Sequence, residues 1–337
     1  MVISNVSLLG QNISQNNNLK DLRYQIIDLQ RQISSQKKSE NYSGLGTEAN
    51  SIQRMRAETS QLEGFMKNID NISTRTEIMS ISMSQVTDIS REVINNIQLQ
   101  TQNGEIDLLS LKTVAQENLV FLQDLMNSEH DGRFLFSGTD VNNAPFDNAG
   151  TINTNMQNEI ANWLNSTQTP SQLLNNVETM SDGNLGYSST LSTAGDVYAR
   201  VDTNIEINYT VMGNNDGFRD IMRGMALAAN LEFPDPNTDT ATEAEFHQIL
   251  DEIVTIMARG TKAMDQANFD LSSRNSLMEN IKGRHLQDTE TLTGLVLKTE
   301  EVDTAELITK LQTTQNQLTA SYEVARIVNS LSLINFI

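Results

Sequence analysis

All four prolines of the chain lie between positions 145 and 236, and this placement constrains the fold more than any other feature of the sequence. They are Pro145, Pro170, Pro234 and Pro236 of 337 residues. A proline inside a helix costs about 3 kcal/mol, because it lacks the amide hydrogen and its ring clashes with the preceding turn. The two flanks are therefore free to form long helices, whereas the middle must be divided into shorter elements.

Apolar residues recur at heptad spacing near both ends of the chain. In the N-terminal flank they are separated alternately by three and four residues, and polar residues fill the other faces. A second series near the C terminus keeps close to the same spacing, and the chain ends in the apolar run LSLINFI. These stripes predict that the two flanks pair as coiled-coil helices and mediate assembly. The predicted assembly residues are Leu19, Leu22, Ile26, Leu29, Ile33, Ile308, Leu311, Leu318, Tyr322, Ala325, Leu331 and Leu333.

The middle region contains the clearest alternation of apolar and polar residues, VDTNIEINYTV at positions 201–211. This period of two predicts a strand, and the Asn, Thr, Ser and Gly content around it predicts further short strands and turns with one short helix. The predicted fold is mainly α, a long antiparallel or coiled-coil bundle formed by the flanks, with a β-rich inserted domain. The predicted regions are a terminal coiled-coil assembly region (1–43 with 300–337), a helical bundle (44–135 with 240–299) and a β-rich outer domain (136–239).

Residues 132–146, GRFLFSGTDVNNAPF, are the aromatic segment of the chain. They contain three phenylalanines and a proline, although aromatic residues are only 5% of the whole sequence. Glycine and proline mark turns on both sides of these aromatic residues. The pattern predicts a structural hinge, where a long helix closing at positions 131 and 132 gives way to the β region. The predicted hinge residues are Gly132, Phe134, Phe136, Gly138, Pro145 and Phe146.

Composition excludes several classes of function. A net charge of -20 opposes binding to nucleic acid, which requires clustered Lys and Arg. The chain has no cysteine, its three histidines have no metal-ligand spacing, and neither a phosphate-binding loop nor a nucleophile elbow occurs. We therefore expect no enzyme, no catalytic, cofactor-binding or metal-binding residues, and no cofactor. Without a long apolar run or the basic and apolar regions of a signal peptide, we expect neither membrane insertion nor a cleaved signal.

Three stretches resemble the flagellin superfamily of bacteria, and within it the hook-associated proteins. Residues 29–49, LQRQISSQKKSENYSGLGTEA, are similar to the N-terminal segment in which a helix ends at a Ser-Ser pair and a second helix follows. Residues 313–337 are similar to the superfamily's C terminus, with Gln-x-x-Leu-x-x-Ser-Tyr and a final Leu-Ser-Leu. The aromatic segment resembles the hook–filament junction proteins more than the filament flagellins. An Asp-Asp pair common after the first loop is absent, so a contact made by those acids is not carried over.

The resemblance implies a secreted structural subunit of the flagellum that joins the hook, through another hook-associated protein, to the flagellin filament. It implies export through the type III apparatus without a cleaved signal peptide, and self-assembly into a ring or tube. It also implies an export chaperone at the C-terminal helices. The alternative is a filament flagellin, which the aromatic segment and the modest central insertion disfavour. A coiled-coil sensory or adhesive protein would need a membrane span or anchor, which the sequence does not show.

Overall fold

The computed structural model describes residues 2–104 and 106–334, with side chains for residues 10, 13–102, 104, 106–148 and 150–327. The described chain is mainly helical, with short antiparallel strands. Its helices are α1 (Val2–Ser35), α2 (Ala49–Asn103), α3 (Leu108–Met126), α4 (Ala149–Leu164), α5 (Pro170–Glu178), α6 (Asp182–Leu185), α7 (Asp216–Asn230), α8 (Glu243–Glu300) and α9 (Thr304–Ile334), with 3-10 turns at Tyr42–Glu48 and Leu191–Thr193. Strand β1 (Glu129–His130) pairs with β2 (Arg133–Phe134), and β3 (Tyr198–Asp202) pairs with β4 (Ile205–Asn208).

The chain divides into two compact units. Unit 1 combines the described residues up to Glu63 with those from Leu286 onward, and unit 2 is Gly64–His285. Helices α2 and α8 contribute residues to both units. The three-region division made from the sequence stays a prediction.

The flanks without proline form long helices, and this prediction is confirmed. The sequence pattern Thr-x-x-Glu at Thr242 and Glu245 predicts the start of α8, and the structure agrees: the amide of Thr242 donates to Glu245 Oε2 at 2.8 Å, and the amide of Glu245 donates to Thr242 Oγ1 at 3.3 Å. This reciprocal pair is a capping box, which satisfies amides that the first helical turn leaves unbonded. Helix α2 ends at Asn103, and Gly104 follows it with a left-handed φ of 72°. Glycine adopts that conformation at no steric cost and so ends the helix.

The β-rich character predicted for residues 136–239 is not confirmed. This region holds four helices, α4 to α7, and the two short strands β3 and β4. The single strand predicted at 201–211 is a hairpin, because Asp202 Oδ1 accepts the amide hydrogen of Thr203 at 2.6 Å and initiates a turn. Elsewhere the polar residues of this region cap helices: Thr169 begins α5 and Asn215 begins α7. Asn and Thr favour helix caps as well as turns, so composition alone did not distinguish the two.

Unit 2 contains a large apolar core in which α7 lies at the centre. Every residue of α7 from Gly217 to Asn230 is buried except Arg219. The helix packs closely on α8, since a methyl group added at Gly260 would lie 2.8 Å from the amide nitrogen of Ile221. Trp163 is also fully buried in this core. Helix α7 therefore has almost no surface left for contact with another protein.

A second, smaller core of unit 2 holds the β3–β4 hairpin against α2 and α8. Val201 and Ile207 of the hairpin are buried with Ile69 of α2 and Ile281 of α8. His285 is buried beside this core, and its Nε2 lies 2.8 Å from the carbonyl oxygen of Val201. Because a carbonyl only accepts, the imidazole donates here. The sequence analysis had no local signal for this role of the histidine.

Candidate assembly site

Helices α1 and α9 of unit 1 pack against each other in antiparallel orientation. The guanidinium of Arg23 lies 5.6 Å from the ring centre of Tyr322, and Arg23 Nε donates to the phenol oxygen at 2.8 Å. Nine residues from Tyr322 toward the start of α9, Thr313 lines a groove together with Leu29 of α1. The residues of α1 predicted for assembly are all half-buried: Leu19, Leu22, Ile26, Leu29 and Ile33.

The less exposed face of α9 repeats at alternating intervals of three and four residues, as a heptad does. It comprises Thr304, Leu307, Leu311, Thr314, Leu318, Ser321 and Ala325. We call this face with its α1 counterpart the helix seam. Ile308 and Tyr322, which were predicted for assembly, are 46% and 39% exposed and lie beside the seam. The side chains of Leu331 and Leu333 are outside the described residues. The assembly role of all these residues stays a prediction.

Polar residues occupy seam positions where the sequence analysis favoured larger apolar neighbours. Thr314 is buried, and its hydroxyl donates to the carbonyl oxygen of Lys310 at 2.8 Å, so it needs no other partner. Ser321 is half-buried in the same face. Counting three positions on from Leu311 and from Leu318 reaches Thr314 and Ser321. The sequence analysis instead chose Tyr322, one position after Ser321, because its side chain is larger and more apolar.

The outer sides of the helix pair expose apolar side chains. More than half of the surface of Ile13, Tyr24, Ile27, Val324 and Ile327 is exposed. On a helix, Ile13 and Ile27 are 14 residues apart and therefore share a face. Clusters of exposed apolar residues mark surfaces that associate with other molecules. These residues, with the helix seam beneath them, make up the candidate assembly site.

Charge is distributed unequally between the two units. Unit 2 contains 30 acidic and 13 basic residues, a net charge of -17, whereas unit 1 contains 13 acidic and 10 basic residues, a net charge of -3. Like charges repel when copies of a protein approach. Association of copies is thus electrostatically much easier through unit 1.

The aromatic segment belongs entirely to unit 2 and begins with a tight turn. Asp131 and Gly132, with left-handed φ values of 52° and 68°, connect β1 to β2. Helix α3 ends earlier than predicted, at Met126, and the next residue, Asn127, caps the helix and bonds to Phe146. Its side chain donates to the carbonyl oxygen of Phe146 at 2.8 Å and accepts the amide hydrogen of Phe146 at 3.1 Å. Asn127 thereby attaches the end of the segment to the end of α3.

Two of the three phenylalanines of the segment are buried in the core of unit 2. Phe136 is fully buried and meets Phe218 edge to face, with ring centres 5.1 Å apart. Phe146 is buried with Pro145 and meets Tyr187 edge to face at 6.0 Å. Phe134 is half-buried.

Gly138 is the position of the segment at which only glycine fits. Its φ is a left-handed 62°, and an added methyl group would lie 2.7 Å from the carbonyl oxygen of Gly195. A side chain here would therefore displace the backbone. The hinge role predicted for this segment stays a prediction.

An ionic cluster around α7 is a further feature of unit 2. Asp220 is buried and accepts hydrogen bonds from Arg223 at 3.3 Å and from Arg259 of α8 at 2.6 Å. Near it, Arg219 donates to Asp182 at 2.7 Å. Burial raises the pKa of the Tyr187 phenol well above its ordinary value, and the nearby arginines oppose this only in part. Arg259 and Asp182 come from segments other than those of their partners, so the sequence held no local signal for these two pairs.

No group of three or more His, Cys, Asp or Glu side chains within the described residues is placed to hold a metal ion. In the same part of the chain, no helix combines the length and apolar character needed to cross a membrane.

Two solved flagellar proteins match the chain, and one of them shares its fold. One is described as a candidate flagellar hook-associated protein from Vibrio parahaemolyticus, with 12% identity, a TM-score of 0.53, and coverage of 77% of this chain and 98% of that one. The other is FlgL from Bacillus cereus, with 14% identity, a TM-score of 0.44, and coverage of 73% and 98%. At this identity the likeness to the Vibrio structure extends to the fold. No protein-family profile and no curated protein matches the chain.

Proposed function

We propose that the protein is a non-enzymatic structural subunit of the bacterial flagellum. The observation that carries this proposal is the fold shared with a candidate hook-associated protein, which extends over 98% of that protein. The candidate assembly site adds a physical reason. A helix pair with exposed apolar sides and little net charge suits assembly better than catalysis.

Within the flagellum, the proposed role is that of hook-associated protein 3, which joins the hook to the filament. The subunit would contact another hook-associated protein on one side and flagellin on the other. The aromatic segment supports this role, because its sequence resembles the junction proteins and it has a defined place in the core of unit 2. The alternative is a filament flagellin of the same superfamily.

Self-assembly would proceed through the terminal helices, residues 1–43 with 300–337, packed as a coiled-coil layer of a ring or tube. Unit 2, with a net charge of -17, would then lie where solvent ions can screen it. The helical bundle and the outer domain would contribute their surfaces to solvent and to neighbouring subunits.

The proposal includes secretion through the flagellar type III apparatus without a cleaved signal peptide, to a final extracellular location. Before export, an export chaperone would bind the C-terminal helices in the cytoplasm. The exposed Val324 of α9 supports this step, since exposed apolar surface promotes aggregation.

Deletion of the gene combined with immunogold labelling of isolated flagella tests the proposal. We expect hooks to remain while unpolymerised flagellin appears in the medium, and we expect label in a narrow band between hook and filament. Label along the whole filament would favour the flagellin alternative. Normal flagella after deletion, with no label on them, would contradict the flagellar role itself. Complementation with the wild-type gene provides the control.

A further inference from the structure

Two connectors of unit 1 pair with each other where α1 ends and α9 begins. The first, residues 36–41, follows α1, and the second, residues 301–303, joins α8 to α9. The amide of Lys38 donates to the carbonyl oxygen of Glu300 at 2.8 Å, and the amide of Val302 donates to that of Gln36 at 3.4 Å. Lys37 and Glu301 form an antiparallel bridge between these bonds. We call this pair of connectors, with the side chains around it, the connector site.

The side chain of Glu300 lies at the centre of the connector site. It is 7% exposed, and Glu300 is the only buried charged residue among the described side chains of unit 1. Its carboxylate accepts from Arg56 Nη2 at 2.6 Å and lies 3.6 Å from Lys37 Nζ. Arg56 belongs to α2 and Lys37 to the first connector. One carboxylate at the end of α8 therefore joins three separate segments of unit 1.

Arg56, the partner of Glu300 from α2, is itself held in place by Tyr42. Arg56 Nη1 donates to the phenol oxygen of Tyr42 at 2.9 Å, and its guanidinium lies 5.7 Å from the Tyr42 ring centre. A guanidinium has a planar set of donors, so it can bind the carboxylate and the phenol in one fixed geometry. Tyr42 begins the 3-10 turn that leads into α2.

Apolar packing at the connector site involves Leu45, which lines its cavity and belongs to a small core with Ile52 and Val296. This cavity of about 370 Å³ adjoins Glu300 and is lined mainly by polar residues, including Ser35, Ser39 and Asn41. Gln36 has a left-handed φ of 55°, which residues other than glycine rarely adopt without support from their surroundings. Two main-chain hydrogen bonds and the charges on Glu300 are the interactions that supply this support.

We propose that Glu300 is the positioning residue that fixes the direction of the α1–α9 pair relative to the adjoining parts of α2 and α8 in unit 1. The carboxylate holds this direction in the monomer, so that the candidate assembly site is presented in one orientation before another copy binds. The reason is physical: a buried carboxylate must keep its cationic partners close, and any rotation of the first connector separates Lys37 from it. This inference deepens the proposed function and rests on it for its biological meaning.

Distance measurements between two spin labels test this proposal in the full-length monomer. The chain has no cysteine, so Gln30→Cys in α1 and Glu58→Cys in α2 introduce the only two labelling sites, and both residues are exposed. Pulsed dipolar spectroscopy should give a single narrow distance distribution in this parent. Adding Glu300→Gln should broaden the distance distribution so that it loses its single maximum. The amide keeps the shape of the side chain, but it no longer attracts the cations of Lys37 and Arg56.

Matched variants separate positioning from a general loss of folding. Glu301→Gln removes the neighbouring, exposed carboxylate and should leave the distribution unchanged. Arg56→Gln acts from the other side of the ion pair, at a half-exposed side chain, and should reproduce the broad distribution even if Glu300→Gln fails to fold. A narrow, unshifted distribution in the folded Glu300→Gln and Arg56→Gln variants would overturn the proposal. So would equal broadening by Glu301→Gln.

Failure of this proposal and failure of the proposed function have different signatures. The distance distribution is measured on the isolated monomer and does not depend on any flagellar partner. If the protein is flagellar and Glu300 positions the helix pair, cells with Glu300→Gln should lose the label band between hook and filament while cells with Glu301→Gln keep it. A broadened monomer whose label band is retained would leave the proposed function standing and show that assembly does not need the direction that Glu300 fixes. Absence of label from flagella in cells with the wild-type protein would contradict the proposed function, and a broadened monomer would still support the positioning role.

Discussion

Units 1 and 2 are held together in different ways. Unit 2 contains fully buried aromatic residues, such as Phe136 and Trp163, and a helix surrounded on nearly all sides. Among the described side chains of unit 1, the buried residues are Leu45, Ile52, Val296, Glu300, Leu307 and Thr314. Because apolar burial supplies most of the stability of a fold, unit 2 should be far more resistant to unfolding than unit 1. The comparison suggests that unit 2 is stable by itself, whereas the contacts of unit 1 are completed by assembly.

The largest expected effect is that of Phe136→Ala in the core of unit 2. Removal of a fully buried phenylalanine should lower the free energy of unfolding by about 3–5 kcal/mol, because the lost contacts leave a cavity. The single tryptophan, Trp163, is buried in the same unit, so its fluorescence in urea reports this transition. Phe134→Ala, at a half-buried position, is the matched control and should have a clearly smaller effect. Equal losses from the two variants would contradict the placement of Phe136 in the core.

The second-largest expected effect is a loss of stability of unit 2 at alkaline pH, which is caused by Tyr187. Burial raises the pKa of this phenol in the folded protein above the ordinary value of about 10 that it has when unfolded. The stabilisation is therefore complete below the unfolded pKa and is lost as the pH rises above it. The loss should approach about 1.4 kcal/mol per pH unit, because the unfolded chain releases one proton that the folded chain retains.

Urea unfolding between neutral pH and pH values above 10 measures this slope. In Tyr187→Phe this pH-dependent loss of stability should disappear. The free energy of unfolding at neutral pH should change little, because the phenol has no hydrogen-bond partner among the described residues. Tyr198→Phe, at an exposed position, should keep the wild-type slope. An unchanged slope in Tyr187→Phe would show that the phenol ionises freely.

A smaller effect is expected in the helix seam of unit 1. Leu311 is half-buried, so Leu311→Ala should lower the stability of the α1–α9 pair by about 1 kcal/mol. Hydrogen–deuterium exchange should become faster in both α1 and α9 and stay unchanged in unit 2. Ile308→Ala, at a residue beside the seam that is 46% exposed, is the control with the weaker effect. Stronger acceleration from Ile308→Ala would place the seam where the sequence analysis first put it.

The sequence was sufficient for the long helices and some of their ends. Proline-free flanks predicted α1, α2, α8 and α9, and the capping box at Thr242 predicted where α8 begins. These signals are local, since a cap or a missing proline acts within one or two helical turns.

The remaining features depend on contacts between distant residues, which a local pattern does not encode. Arg56 and Glu300 are 244 positions apart, and only the fold brings them together. The helical nature of the middle region was missed because Asn and Thr mark turns and helix caps equally well. In the seam, the sequence analysis chose Ile308, which is 46% exposed, whereas Leu307, one position earlier, is the residue that the helical period buries.

The smallest effect is expected for Tyr322→Phe, which removes the hydroxyl that accepts from Arg23 and keeps the ring beneath the guanidinium. Both residues are exposed, so the loss in stability should be about 0.5 kcal/mol or less. Tyr24→Phe, a second exposed phenol of the same helix pair, is the control and should change exchange in α1 and α9 by even less. If Tyr322→Phe accelerates exchange as much as Leu311→Ala does, the contact with Arg23 contributes as much as apolar burial. The α1–α9 pair would then be stabilised by specific polar contacts in the monomer, and the contrast between the two units would be one of chemistry rather than of strength.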